Sequence, residues 1–458
     1  MFHPDNNVSL KALISLHKYF FLKTKTYKKE KVQLITLGCS KNLVDSENLI
    51  TQLDYNQYKV EHNPSNTDPA SIIIINTCGF IDRAKEESIE TILEYAHLKN
   101  TGIVSKLYVT GCLSQRYKDN LESEIKEVDA FFGTMEMPAL LAKLNADYRH
   151  ELIGERIITT PSHFAYLKIS EGCNRTCSFC AIPLMRGKHV SIPIEQILLQ
   201  ARNLAQHGVK EIILIAQELT YYGLDIYKER SLSKLLNLLC EVEGIEWIRL
   251  HYAYPSKFPM DVIHTMKAQD KICNYLDLPL QHASDPVLAS MKRQITNEET
   301  RRLIGDIRNI LPEITLRTTM LVGFPGETEK DFNDLCTFVK EHRLDRLGVF
   351  QYSHEEDTSA YLFEDNVPAE VKEERAATLM SIQEEISLDL NKAKIGKEFK
   401  VLVDQKEKAY YVGRTEADSP EVDNEVHISV KDYCRVGDFA RVKIIQADHF
   451  DLIGELIP

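Results

Sequence analysis

Ten cysteines stand in the 458 residues, and three of them fall at a spacing that can do chemistry. Cys173-Asn-Arg-Thr-Cys177-Ser-Phe-Cys180 is a CxxxCxxC. Three thiolates can hold three irons of a [4Fe–4S] cluster and leave the fourth iron open to a substrate or cofactor, where a fourth cysteine would close it. The competing readings are zinc and a chance cluster, but zinc sites favour paired CxxC and four ligands. A second group, Cys39, Cys78 and Cys112, has no short motif. What joins these three is position, since each ends a predicted strand of one parallel sheet. The C-termini of parallel strands share an edge where ligands of α/β sheets bind. Three thiolates can converge there on a second cluster, whereas one such cysteine alone would read as buried packing. Cys240, Cys273, Cys336 and Cys434 match no ligand spacing and read as packing residues. The histidines are scattered. His251 and His282 could face the mouth of a barrel, and core or surface placement is equally open.

The elements that must position these residues follow an α/β rhythm from Lys31. Runs at Val32–Leu37, Ser71–Asn76 and Lys106–Thr110 alternate with helical stretches such as Ala84–Leu98, which implies parallel βαβ units. A more polar passage covers Glu136 to Thr159. The alternation resumes with strand candidates Tyr166–Ser170, Glu211–Ala216, Trp247–His251, Tyr275–Leu278, Thr315–Val322 and Arg346–Gln351, separated by helices such as Pro193–His207 and Glu298–Ile310. Six units fit a partial (β/α) barrel, whose chemistry belongs on loops after strand C-termini. The CxxxCxxC follows the first of these strands. Pro368 to Lys394 reads as a long charged helix. After Gly396, short alternating segments at Phe399–Val403, Tyr410–Arg414, Glu425–Val430 and Phe439–Ala447 suggest a small β-barrel. The fold class is α/β, with an N-terminal parallel domain over 31–150, a partial (β/α)6 barrel over 160–390 and a β-barrel over 392–458. Residues 1–30, basic at their end, read as a mobile extension.

Composition bounds the function. The formal net charge of −13 disfavours a surface that is one large nucleic-acid footprint, without excluding a local basic groove. No run approaches the ~18 apolar residues of a membrane span. Lys11, His17 and Lys18 interrupt the apolar N-terminal stretch, and no cleavage site follows, so a cytoplasmic protein is expected. In a reducing cytosol, clustered cysteines point to metal or catalysis rather than disulfides.

The CxxxCxxC loop resembles that of the radical S-adenosylmethionine (SAM) enzymes. The resemblance implies that the open iron chelates SAM and that an electron from the cluster releases a 5′-deoxyadenosyl radical. It also implies that Phe179 sits near the adenine and that Gly323-Phe-Pro325-Gly326-Glu-Thr-Glu329 lies beside the adenosine. The bland reading of this last segment is a tight turn. Two three-cysteine sites and a C-terminal β-barrel together are similar to the radical SAM methylthiotransferases, which insert and methylate a sulfur at an unactivated C–H bond. The match opens at Thr36-Leu-Gly-Cys39-Ser-Lys-Asn-Leu-Val-Asp45-Ser-Glu47 and includes Asn76-Thr-Cys78-Gly79-Phe80 and Val109-Thr-Gly-Cys112. It implies two [4Fe–4S] clusters, on Cys173, Cys177, Cys180 and on Cys39, Cys78, Cys112, together with SAM. It also implies a TRAM-like C-terminal barrel and an electron donor such as a flavodoxin-type reductant.

Within that family, Cys180-Ala-Ile-Pro183-Leu-Met-Arg186-Gly187, Asp277-Leu-Pro279-Leu-Gln281-His282 and Gly413-Arg-Thr-Glu-Ala-Asp418-Ser-Pro-Glu421-Val-Asp423 resemble one branch. Its members modify the β-carbon of an aspartate of ribosomal protein S-twelve. From Lys392 to the C-terminus there are 11 basic and 13 acidic residues. A tRNA-binding barrel should be basic, whereas an acidic one suits a basic ribosomal protein, free or on the small subunit. A solvated charged face with no partner is the bland alternative. The alternative function is a tRNA adenosine methylthiotransferase with the same chemistry. An iron–sulfur electron carrier is remote, since two-cluster ferredoxins use four cysteines per cluster.

Overall fold

The computed structural model describes residues 29–65, 69–431 and 433–457. The expected extension at 1–30 falls, but for its last two residues, outside the described residues.

Five parallel strands open the chain: β1 (Lys31–Thr36), β2 (Lys59–His62), β3 (Ile72–Thr77), β4 (Lys106–Gly111) and β5 (Ala130–Phe131), in the order β2-β1-β3-β4-β5. The centre of this sheet explains its sequence. Ile72 and Ile74 pack with Leu49, Leu53 and Leu140 on one face, and Ile73 and Ile75 with Ile92 and Leu113 on the other. A parallel strand covered on both faces reads as an unbroken aliphatic run. Each fully buried isoleucine contributes roughly 1.5–3 kcal/mol.

Six parallel strands follow in the order β13-β12-β11-β10-β9-β6: β6 (Phe164–Lys168), β9 (Glu211–Ile215), β10 (Trp247–Leu250), β11 (Ile272–Asp277), β12 (Thr315–Val322) and β13 (Arg346–Gln351). β13 and β6 do not pair with one another, so the barrel is partial. A two-residue ribbon, β7 (Ser170–Glu171) against β8 (Val190–Ser191), brackets the cysteine loop. Alternate strand residues go to different places. Ile248, Leu250, Leu276 and Leu316 pack outward on helix residues such as Leu235, Ile263 and Ile304. Trp247, Cys273 and Tyr275 point the other way and meet Leu402 and Phe439 of the C-terminal module.

The helix Ala369–Lys392 leads to a closed barrel of β14 (Glu398–Lys406), β15 (Tyr410–Arg414), β16 (Val426–Ser429), β17 (Phe439–Ala447) and β18 (Leu452–Leu456). The weak edge strands β2 and β5 and the final β18 were not legible as strands in the sequence.

One sequence expectation is corrected here. The acidic segment 413–423 is not an open face waiting for a basic partner; it plugs the partial barrel. Asp418 is buried against Arg346 of β13 and accepts from Thr415. Asp423 meets Arg317 at 3.3 Å and accepts from the Tyr275 hydroxyl at 2.7 Å. Glu416 accepts from the Asn274 N–H, and its carbonyl from Arg249. Glu421 accepts from the Tyr166 hydroxyl. Arg414, in turn, bridges Glu211 and Asp404. Charges facing inward from the barrel strands need partners in a low-dielectric interior: Arg249 pairs with Glu211 and Arg317 with Asp277 inside the barrel, and this segment completes the set at Arg346, Arg317 and Glu211. His251 belongs to the same contact: it is buried and bonds the Ser419 hydroxyl at 2.9 Å.

Candidate active site

The three N-terminal cysteines stand at the C-terminal ends of adjacent strands. Cys39 caps the helix Ser40–Tyr55 after β1, Cys78 follows β3, and Cys112 opens the helix Cys112–Glu124 after β4. Their loops are tied by two asparagines. The Asn42 amide donates to the carbonyls of Leu37 and Thr77, and the Asn76 amide to the Asn42 carbonyl and the Ser46 hydroxyl. Gly38 turns with φ +88°, and a Cβ there would stand 2.7 Å from the Cys78 Cβ and 2.8 Å from its sulfur. Only glycine fits a left-handed residue pressed on a neighbouring side chain.

The barrel triad lies on the loop clamped by β7 and β8. The Cys173 N–H donates to the Gly187 carbonyl, and the Ser178 N–H to the Met291 carbonyl. Within each triad the thiols feel one another. Burial pushes Cys112 up to about 12, with Arg186 opposing and Cys39 and Cys78 adding. Burial likewise pushes Cys180 up to about 12, with Cys177 and Cys173 adding and Arg293 opposing. Cys173 is raised to about 11 by burial, against the N–H of Arg175. Such thiols stay protonated at neutral pH until a metal removes the proton. Among the described residues, no three His, Cys, Asp or Glu side chains come close enough to share one metal ion. A four-ligand zinc site needs that convergence. Three cysteine thiols on one loop, with no histidine or carboxylate among them, are the kind of donor set that iron–sulfur clusters take.

The two cysteine loops meet at the domain junction. Ala181, the residue after Cys180, packs with Cys112, Met185 and Ile182 in one buried group. Beside them lies a charged junction that sequence reasoning left without a role. Arg186 donates to Asn42 and to Asp45, Lys168 donates to Asp45 and Glu171, and Glu171 also receives Gln217. Burial acts to raise the Asp45 carboxyl, but Lys168 and Arg186 outweigh it and hold it below its ordinary value. A second junction sits at Glu355, which receives both Lys85 and Arg116.

Phe179 packs with Phe324, Leu321 and Tyr352, which brings it to the glycine-rich segment. That segment follows β12. Its turn is held by the Glu327 carboxylate, which accepts from the Gly323 and Phe324 N–H groups and pairs with Arg375. Gly326 donates to Asn366, and Pro325 lies between. His282 is buried beside this turn, 3.9 Å from Glu327. Cys273, Cys336 and Cys434 are buried and Cys240 partly so, as packing residues are.

Comparison with known families follows this division of the chain. Residues 31–133 match the uncharacterized protein family UPF0004, residues 167–339 the radical SAM superfamily and residues 395–457 the TRAM domain. A solved radical S-adenosylmethionine methyltransferase, TsrM from Kitasatospora setae, shares the fold. It has a TM-score of 0.52 and 12% identity over 83% of this chain and 79% of that one. The central domain is that of the radical SAM superfamily. The ribosomal protein uS12 methylthiotransferase RimO of Cytophaga hutchinsonii is 61% identical over 95% of this chain and 100% of its own length. The RimO of Flavobacterium johnsoniae is 58% identical over 95% and 100%. The chain belongs to the RimO family of methylthiotransferases.

Proposed function

We propose that this enzyme places a methylthio group on the β-carbon of an aspartate of ribosomal protein uS12, free or on the small subunit. One observation carries the site assignment: the barrel's cysteine loop packs on the N-terminal triad where Ala181, next to Cys180, meets Cys112. In this reading Cys173, Cys177 and Cys180 hold one [4Fe–4S] cluster and Cys39, Cys78 and Cys112 the other. When bound, the clusters and SAM supply one-electron chemistry, sulfur and the methyl group. The chain's own residues position these groups. Phe179 and the Gly323-Phe-Pro325-Gly326 turn line the nucleoside site, with Glu327 fixing the turn. The Asp45–Arg186–Lys168 junction sets the spacing between the two sites. The plug formed by 414–423 closes the far side of the barrel against water.

The reading divides the chain at 31–150, 160–390 and 392–458, with 1–30 as an appendage. It places the enzyme in the cytoplasm, where thiols stay reduced, and gives it a flavodoxin-type electron donor. Among the described residues no helix is long and apolar enough to cross a membrane. The substrate assignment rests on the names of relatives at 61% and 58% identity and no longer on an acidic C-terminal face. The test is the mass of uS12 and the tRNA nucleoside profile in a deletion strain and its parent. A loss of the methylthio mass from uS12 alone is expected, and a change in tRNA alone overturns the reading.

A further inference from the structure

Arg293 is a buried cation with no carboxylate beside it. Only 4% of the residue is exposed. One guanidinium nitrogen donates to the Cys177 sulfur at 3.3 Å and another to the Pro279 carbonyl, while Nε has no partner. Among the described residues, no Asp or Glu forms an ion pair with it. The neighbouring Arg175 differs, since it pairs with Glu218 at 3.2 Å.

The placement of Arg293 is enforced. Lys292 and Gln294 on either side hold left-handed backbone at φ 55° and 56°. The Arg293 carbonyl accepts from the Tyr254 hydroxyl at 2.8 Å and the Gln294 carbonyl from Ser256 at 2.6 Å. The guanidinium stacks on Tyr254, its carbon 4.2 Å from the ring centre. The Ser178 hydroxyl, between Cys177 and Phe179, donates to the Ser290 carbonyl and ties the same bend to the cysteine loop. A buried cation without a counter-ion is costly. Positive-φ residues on both sides of it add strain. An anion at the barrel triad would offset both.

We propose that Arg293 is a positioning residue that sets the reduction potential of the group held by Cys173, Cys177 and Cys180, with the thiolate-bound cluster as its missing counter-ion. This inference rests on the cluster assignment above. Reduction adds one negative charge to the cluster, and a fixed cation on a ligand sulfur favours the reduced form. Hydrogen bonds to the sulfurs and net charge are the protein's means of moving such potentials. Glu218 screens Arg175, so Arg293 is the uncompensated charge.

The experiment is an anaerobic redox titration of the reconstituted full-length protein followed by electron paramagnetic resonance. The barrel cluster is identified as the signal that changes when SAM is added. In Arg293→Gln the reduced-to-oxidised ratio at fixed potential is expected to fall about tenfold, equivalent to a midpoint lower by about 59 mV for a one-electron couple. Arg293→Lys, which keeps the charge, is expected to restore most of the shift. A fully loaded glutamine variant with an unchanged midpoint overturns the proposal, as does a lysine variant shifted as far as the glutamine one. Arg293→Met covers the case in which glutamine is not tolerated: with the charge gone its midpoint is expected to fall as the glutamine variant's does, and an unchanged midpoint in a fully loaded methionine variant overturns the proposal. A wild-type protein with no SAM-responsive signal would instead overturn the cluster assignment itself.

Discussion

The Gly38→Ala substitution isolates the N-terminal triad from the rest of the fold. Two costs arise at this position. The first is backbone strain, since a left-handed non-glycine residue costs roughly 1–2 kcal/mol, and Gly38 has φ +88°. The second is contact. The new methyl would stand 2.7 Å from the Cys78 Cβ and 2.8 Å from its sulfur, whereas carbon atoms rest at about 3.5–4.0 Å. Relief requires Cys78 to move by about 1 Å, several times the roughly 0.2 Å tolerance of a metal–ligand distance. Gly102→Ala is the control, because Gly102 has φ +80° but no atom within 4 Å of the added methyl. It carries the strain without the clash. Iron and sulfide content after anaerobic reconstitution is the assay. Gly102→Ala should retain two clusters, and Gly38→Ala should fall to about half the iron while keeping SAM cleavage at the barrel triad. Full iron and unaltered spectra in Gly38→Ala would refute the assignment of Cys78 beside Gly38 as a ligand.

Cysteine substitutions separate the two sites further: Cys177→Ala should abolish 5′-deoxyadenosine formation, and Cys78→Ala should keep it while ending sulfur transfer to uS12. Chromatography of the nucleoside and mass analysis of the substrate check both, and a Cys78→Ala enzyme that still methylthiolates would contradict the two-site reading. Removing Asp418 leaves the buried Arg346 without its carboxylate partner, so Asp418→Ala should destabilise by about 3–5 kcal/mol, visible as a lower melting temperature with cluster content unchanged. A shift of less than a degree would show that the plug does not carry this load. Burial, reinforced by Arg249, Arg317, Lys41 and Arg414, holds the His251 imidazole well below its ordinary value. The unfolded chain therefore binds the extra proton, and stability present above about pH 6.5 is lost as pH falls below it, by at most about 1.4 kcal/mol per pH unit for this group. Denaturant titrations between pH 7 and 5 should give a shallower loss in His251→Gln, and equal slopes would show that His251 does not titrate on unfolding.

Much of the molecule could be read before the structure. The CxxxCxxC announces itself by spacing, and Cys39, Cys78 and Cys112 by their place after strands, because parallel topology forces strand ends to one edge. The strands of the partial barrel carry a strong apolar signal and fall within a few residues of expectation. What stayed hidden is what depends on tertiary pairing. Asp418 and Asp423 look like surface acids in a charged segment, and nothing local says that Arg346 and Arg317 wait for them. Arg293 has no motif, since its meaning comes from a missing carboxylate. Asp45 and Arg186 sat inside matched segments, yet their union across 141 residues is a fact of docking, not of pattern. The edge strand β2 was missed because it is short and half-polar, and β5 because it is only two residues long.

The plug also has a consequence in time. All six strands of the catalytic barrel are complete by Gln351, yet Arg249, Arg317 and Arg346 meet Glu416, Asp423 and Asp418 only when residues 416–423 arrive. Chains grow from the N-terminus at about 5–20 residues per second, so during synthesis the barrel waits several seconds with Arg346 lacking a carboxylate, while Arg249 and Arg317 already have Glu211 and Asp277. A segment that leaves the ribosome well after the barrel strands thus acts as a keystone. A chain cut short before it would carry every residue of both cysteine triads and still lack a settled interior around them.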